Sequence, residues 1–211
     1  MTEIDKAIIE IDQSEEDPVN AVIKMGQILN QYAYNQVMSA STKASQQDAL
    51  VSALETYEYD LMALKILKPA REAGMLILEL DPDDLNNITA DVLYIDAQLS
   101  DTKHAQAVFE AHGKKDDLNH LLAMSLVHFK NMEFTQAKQV LEPMLHDPMV
   151  VELARELCEE TLDDHLDAYF DCNDESPLGD FYDAWEEHGE FFEAHRGYFM
   201  WIAQYIMNEN K

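Results

Sequence analysis

Basic residues are scarce: fourteen Lys and Arg stand against forty-two Asp and Glu in 211 residues, a formal net charge of −28. A surface of that sign repels phosphate backbones and anionic headgroups, so direct binding to nucleic acid or to an anionic membrane is not expected. Cysteine is scarcer still. Cys158 and Cys172 are too few for a disulfide scaffold and lack metal-ligand spacing. Six Gly and six Pro leave little punctuation for a fold of short strands and tight turns, and the prevalence of Ala, Leu, Glu, Met and Gln favours helices. The strongest apolar run, Gly74 to Leu78, falls far short of the roughly 20 residues that cross a bilayer. The N-terminus, Met1-Thr2-Glu3-Ile4-Asp5, has neither the basic nor the apolar region of a secretion signal. A cytoplasmic, reduced location is therefore expected.

What is present is ordinary core material with regular punctuation. The apolar fraction is 47%, and a chain of this length buries roughly 70% of its unfolded surface. Asp17-Pro18 places an acid before proline and predicts a helix to about Met38. Ser45 and Asp48 have capping-box spacing and open a second helix, expected from about Gln46 to Leu67. Pro69 starts a third, ending at Leu80. From there Asp81-Pro82-Asp83-Asp84-Leu85 recurs as Lys114-Lys115-Asp116-Asp117-Leu118 and as Asp147-Pro148-Met149-Val150-Val151, at offsets of 33 and 33. Apolar or small residues follow the same offset: Leu85, Leu118 and Val151; Ile88, Leu121 and Ala154; Val92, Ser125 and Cys158. A period of this size, built of a helix, a turn, a helix and a turn, points to a stacked helical array.

The clearest unit runs from Leu118 to Pro148. Its first helix carries Leu121, Met124, Ser125 and His128, and its second Phe134, Ala137, Leu141, Met144 and Leu145. This resembles the tetratricopeptide repeat (TPR), with Ser125 and Ala137 where the family places small residues. His128 replaces the usual aromatic, Met144 the usual second Ala, and the turn Asn131-Met132-Glu133 lacks the usual Gly. Weaker copies flank it: Leu54, Tyr57 and Leu61 with Ala70 and Pro82, then Ala105 and Phe109 after a turn and cap at Ser100-Asp101. The resemblance covers about residues 50 to 172. It implies an all-α, right-handed α-solenoid of antiparallel helix pairs with atypical N- and C-terminal capping helices. The expected organisation is N-terminal helices over 1–45, TPR-like pairs over 46–173 and acidic, aromatic-rich helices over 174–211, in one continuous domain.

A search for chemistry yields little. Asp171 to Ser176 begins like a calcium loop, but Ser176 stands where glycine is needed and Tyr182 where the bidentate Glu is needed. Asp163, Asp164, His165 and Asp167 cluster on one predicted helix. His188 and His195 lie seven apart, about 10 Å along a helix and too far for one ion. The histidines at 104, 112, 120 and 128 recur every eight residues but cross two turns, so they trace no helix face. Neither a phosphate-cradling glycine loop nor a nucleophile elbow occurs. Cys158, on a small helix-packing position, reads as a buried structural thiol. No cofactor and no metal is expected.

The resemblance implies a non-enzymatic protein–protein interaction module, an adaptor or scaffold whose first helices line a groove for a peptide or partner protein. The matching groove positions are Asn86, Thr89, Leu93 and Asp96, then Asn119, Leu122, Leu126, Phe129 and Lys130. For Leu122, Leu126 and Phe129 simple core packing is an equal reading. Lys130 is the one cation in this set, which disfavours a carboxylate-tail ligand and favours a basic or apolar segment. Two alternatives stand beside this reading: an acidic inhibitor mimicking nucleic acid, and an unrecognised metal-dependent enzyme. The mimic rests on residues 152–193, where sixteen acids meet Arg155 alone. The C-terminal helix carries two apolar stripes, Phe192, Phe199 and Ile206, and Phe191, Tyr198, Trp201 and Tyr205. One packs on the preceding helices; the other needs a cover from the chain itself (the favoured reading), from a second copy in a homodimer, or from a partner.

Overall fold

The computed structural model describes residues 18–37, 44–84, 86–159, 181, 185 and 189–211. All regular structure among the described residues is helical. The helices are α1 (Pro18–Val37), α2 (Ala44–Ala63), α3 (Leu67–Leu80), α4 (Ile88–Leu99), α5 (Thr102–His112), α6 (Leu118–Lys130) and α7 (Phe134–Val140). A 3-10 turn (Glu142–Met144) follows, then α8 (Pro148–Glu159), α9 (Gly189–Ala194) and α10 (Arg196–Glu209). The chain divides into two compact units, 1–95 and 96–211, and the division falls inside α4.

Three helix pairs are closed by one and the same turn. Lys65, Ser100 and Met132 each adopt positive φ, at 59°, 57° and 62°. Each donates its N–H three residues back, to the carbonyls of Met62, Ala97 and Phe129. The following residues, Ile66, Asp101 and Glu133, donate five back, to Leu61, Asp96 and His128. These are Schellman caps, which satisfy the last carbonyls of α2, α4 and α6 and turn the chain into the next helix. The cap at Lys65 explains why α2 stops at Ala63 rather than running to Leu67.

Counting from each left-handed residue brings the three pairs into one register. Five residues on lie Ala70, Ala105 and Ala137, all fully buried. Four before lie Leu61, Asp96 and His128; seven before, Glu58, Leu93 and Ser125; eleven before, Leu54, Thr89 and Leu121; all nine are buried. Those steps of three and four keep one helix face turned inward. The alanines let paired helices approach, and Ser125 Oγ donates to Ala137 O at 2.8 Å across one such contact. In unit one, α2 packs against α1 and α3. There Gly74 has no room for a side chain, since an added Cβ would lie 2.6 Å from Val92 Cγ2.

The helix starts agree with expectation only in part. Ser45 lies inside α2, which begins at Ala44, α3 begins at Leu67 rather than Pro69, and Asp17 is outside the described residues, whereas aspartates do cap α5 and α6. Asp101 and Asp117 accept from the backbone N–H of His104 and His120, at 3.2 and 3.1 Å. Pro143, whose missing N–H and ring oppose a continued α-helix, is accompanied by the 3-10 turn after α7. Leu141, Met144 and Leu145 still face the core. The register also corrects the period. From Ser100 to Met132 the step is 32 residues, one short of the 33 read between the loops at 81, 114 and 147, and from Lys65 to Ser100 it is 35. On a helix one residue is about 100° of rotation, so an offset wrong by one reaches a different face.

Candidate functional site

In the second unit, α10 lies along α8 and reaches α6 and α7 with its aromatic side chains. Tyr198 is buried and its Oη donates to Leu122 O at 2.9 Å. Burial pushes its phenol well above the ordinary tyrosine value, so it remains a neutral donor. Phe129 meets Tyr198 and Phe134 edge-on, with ring centroids 5.3 and 5.5 Å apart, and lies tilted against Trp201 at 5.0 Å. The Lys130 ammonium donates to His195 Nε2 at 3.3 Å. Asn210 Nδ2 holds the far end of α10 on Leu145 O at 2.9 Å.

The other face of α10 is covered as well. Phe199 meets Phe192, Phe181 and Trp185, and Trp185 stacks on Phe192 at 4.9 Å. The stripe of Phe192, Phe199 and Ile206 is therefore buried within the chain, while the second stripe is seated at Tyr198 and leaves Trp201 and Tyr205 half-buried. Burying Tyr198, Phe199, Ile202 and Ile206 is worth roughly 1.5–3 kcal/mol each, about 6–12 kcal/mol together. That is comparable with the whole stability of a domain, about 5–15 kcal/mol. The helix is part of the core.

The candidate groove residues fall into three groups. Thr89, Leu93, Asp96, Asn119, Leu122 and Leu126 are buried. Asn86 is exposed and bonds Glu55 across unit one, while Phe129 and Lys130 sit against α10 and His195. The period explains the first group in part: with 32 residues between turns, the counterparts of Asn119, Leu122, Leu126, Phe129 and Lys130 are Asn87, Ala90, Tyr94, Ala97 and Gln98. Thr89, Leu93 and Asp96 instead occupy the inward register shared by Leu121, Ser125 and His128. Buried Asp96 accepts from or pairs with His104 Nδ1 at 2.6 Å, and His128 Nδ1 meets Glu133 Oε2 at 2.7 Å, so polar clasps close both of these turns.

Within the second unit, the exposed large apolar side chains among the described residues lie at the edge where α7 meets α10. Phe134 is 46% exposed and Met132 is 78% exposed. Trp201 and Tyr205 are half-buried beneath the Lys138 ammonium, 5.5 and 4.5 Å from the two ring centroids. Sequence reasoning assigned Phe134 to the repeat and Trp201 and Tyr205 to a stripe. The four-residue spacing of Phe134 and Lys138, and of Trp201 and Tyr205, was the available signal that each pair shares a face.

Cys158 is half-buried rather than buried, and burial first, then the Glu159 carboxylate, push its thiol above the ordinary value. It is thereby less of a nucleophile. The carboxylate–histidine cluster at 163–167, the loop at 171–176, Cys172 and His188 lie outside the described residues. Among the described residues no group of three His, Cys, Asp or Glu is placed to hold a metal ion, and no helix is long and apolar enough to cross a membrane. No family model, no curated protein and no solved structure matches this chain.

Proposed function

We propose that this chain is a non-enzymatic, TPR-like interaction module that holds a peptide or partner protein of basic or apolar character. The observation that carries the reading is the thrice-repeated helix pair, with the same left-handed turn residue, the same two cap bonds and the same buried alanine. A repeated scaffold with a shared inward register leaves its outward positions free to vary, which suits recognition by surface. The charge of −28 adds a field that draws cationic partners and repels anionic ones. Because α10 sits on Leu122 and Phe129, the reading places partner contact at open edges rather than along the whole of α6.

Capture from cell lysate at low and high salt, followed by calorimetry with each identified protein, tests this. A saturable isotherm that persists in 1 M salt, where charges are screened beyond about 3 Å, is the expected result. Capture that disappears with salt and gathers nucleic-acid-binding proteins would replace it with charge mimicry.

A further inference from the structure

The edge where α7 meets α10 is a ladder of three rungs. Phe134 and Lys138 lie four residues apart on α7, and Glu142 follows four further on; Trp201, Tyr205 and Glu209 have the same spacing along α10. In the first rung Phe134 packs against Trp201, centroids 5.7 Å apart. In the second the Lys138 ammonium sits over Tyr205 at 4.5 Å. In the third, Glu142 and Glu209 are both exposed. Both act on Tyr205, whose phenol is raised by burial first and by Glu209 and Glu142 after it.

The surface thus changes from apolar to acidic over eight residues of α10, about 12 Å. Its apolar end continues into Met132 and is open to solvent. Its middle displays the chemistry its rings accept, since Tyr205 and Trp201 already hold a primary ammonium by cation–π attraction. At its acidic end two carboxylates of like charge share one aromatic neighbour, and a cation is the complement that relieves them. The net charge of −28 brings cations to this edge from a distance.

We propose that this ladder docks a partner segment that presents an apolar side chain and, about 12 Å away, a lysine or arginine. The spacing corresponds to three or four residues of extended chain. The apolar group packs on Met132, Phe134 and Trp201, and the cation lies at the exposed carboxylates of Glu142 and Glu209, one rung beyond the Lys138–Tyr205 contact. The proposal rests on the interaction-module reading and adds the chemistry of the partner.

The probes are three end-capped synthetic peptides added to the full chain: one with leucines and arginines at four-residue spacing, one with Glu replacing Arg, and one with Ser replacing Leu. Backbone amide shifts map the contact. The Leu/Arg peptide is expected to shift amides at 132–142 and 201–209, and the other two are not. Glu142→Gln with Glu209→Gln should weaken binding by about tenfold, with the melting curve confirming an intact fold. Shifts that map elsewhere, equal binding of the Glu peptide, or unchanged affinity in the double variant would overturn the proposal. An identified lysate partner that binds wild type and double variant alike would overturn this surface while leaving the module reading intact; absence of any saturable partner or peptide would remove both.

Discussion

Met132→Gly is expected to stabilise the protein, although it deletes a large apolar side chain. Met132 holds φ at 62° and is 78% exposed, so the side chain contributes little packing while its Cβ opposes the left-handed backbone. That conformation costs an L-residue roughly 1–2 kcal/mol. Glycine removes the cost but carries about 0.4–1 kcal/mol of extra unfolded-state entropy. The net gain is about 0.5–1 kcal/mol, or a rise in melting temperature of about 1–4 °C for a chain of this size. Both tryptophans, Trp185 and Trp201, lie in the unit that contains Met132. Urea unfolding followed by their fluorescence therefore reports on that unit directly. Met132→Ala is the control, since it trims the side chain and keeps the Cβ; it should not gain. If Met132→Gly is neutral or destabilising while Met132→Ala behaves the same way, the left-handed turn is not where the Schellman geometry puts it.

Gly74→Ala should destabilise unit one by about 1–3 kcal/mol, despite alanine's better helix propensity of about 1 kcal/mol, because the new Cβ meets Val92 Cγ2 at 2.6 Å; a stabilised variant in urea titration would contradict the close approach. Ala137→Leu should cost at least as much, since Ala137 is fully buried against α6, and a melt unchanged within a degree would show the site to be roomy. Tyr198→Phe removes one buried hydrogen bond and leaves Leu122 O without it, a loss of about 1 kcal/mol readable as a lowered urea midpoint. The same variant has a pH signature. With its folded pKa raised above the ordinary value near 10, Tyr198 contributes stability that is fully present below pH 10 and is lost as pH rises toward the folded value. Wild type should therefore lose stability above pH 10 more steeply than Tyr198→Phe; parallel curves would show that this phenol is not the titrating group.

The helices and their inward faces were legible in the sequence because they rest on local signals. Asp101 and Asp117 mark helix starts by side-chain chemistry, and Leu54, Leu61, Leu121, Ser125 and Ala137 mark a face by periodicity. Two of the turns were legible, at Ser100-Asp101 and Asn131-Met132-Glu133. The turn at Lys65 and the left-handed conformation common to all three were not, because Lys65, Ser100 and Met132 share no side-chain type. Glycine would have announced it. Without that marker the period was read from the Asp-Pro and Asp-Asp punctuation, whose loops differ in length, and the face of α4 was shifted by one residue at Thr89, Leu93 and Asp96. The candidate groove on α6 was identified as a face, but its occupant was invisible: Tyr198 and Leu122 are 76 residues apart, and nothing local links them. The stripe of Tyr198, Trp201 and Tyr205 stated that α10 needed a cover, and only the tertiary structure supplied which one.

The common turn is the claim from which the register, the corrected period and the repeat reading all follow. It is tested most directly by the three-bond HN–Hα couplings and backbone chemical shifts of Lys65, Ser100 and Met132 in solution. All three residues are predicted to report positive φ, each with a slowly exchanging amide on the residue that follows it. Helical or extended φ at any one of the three would break the repeat at that turn and contradict the account.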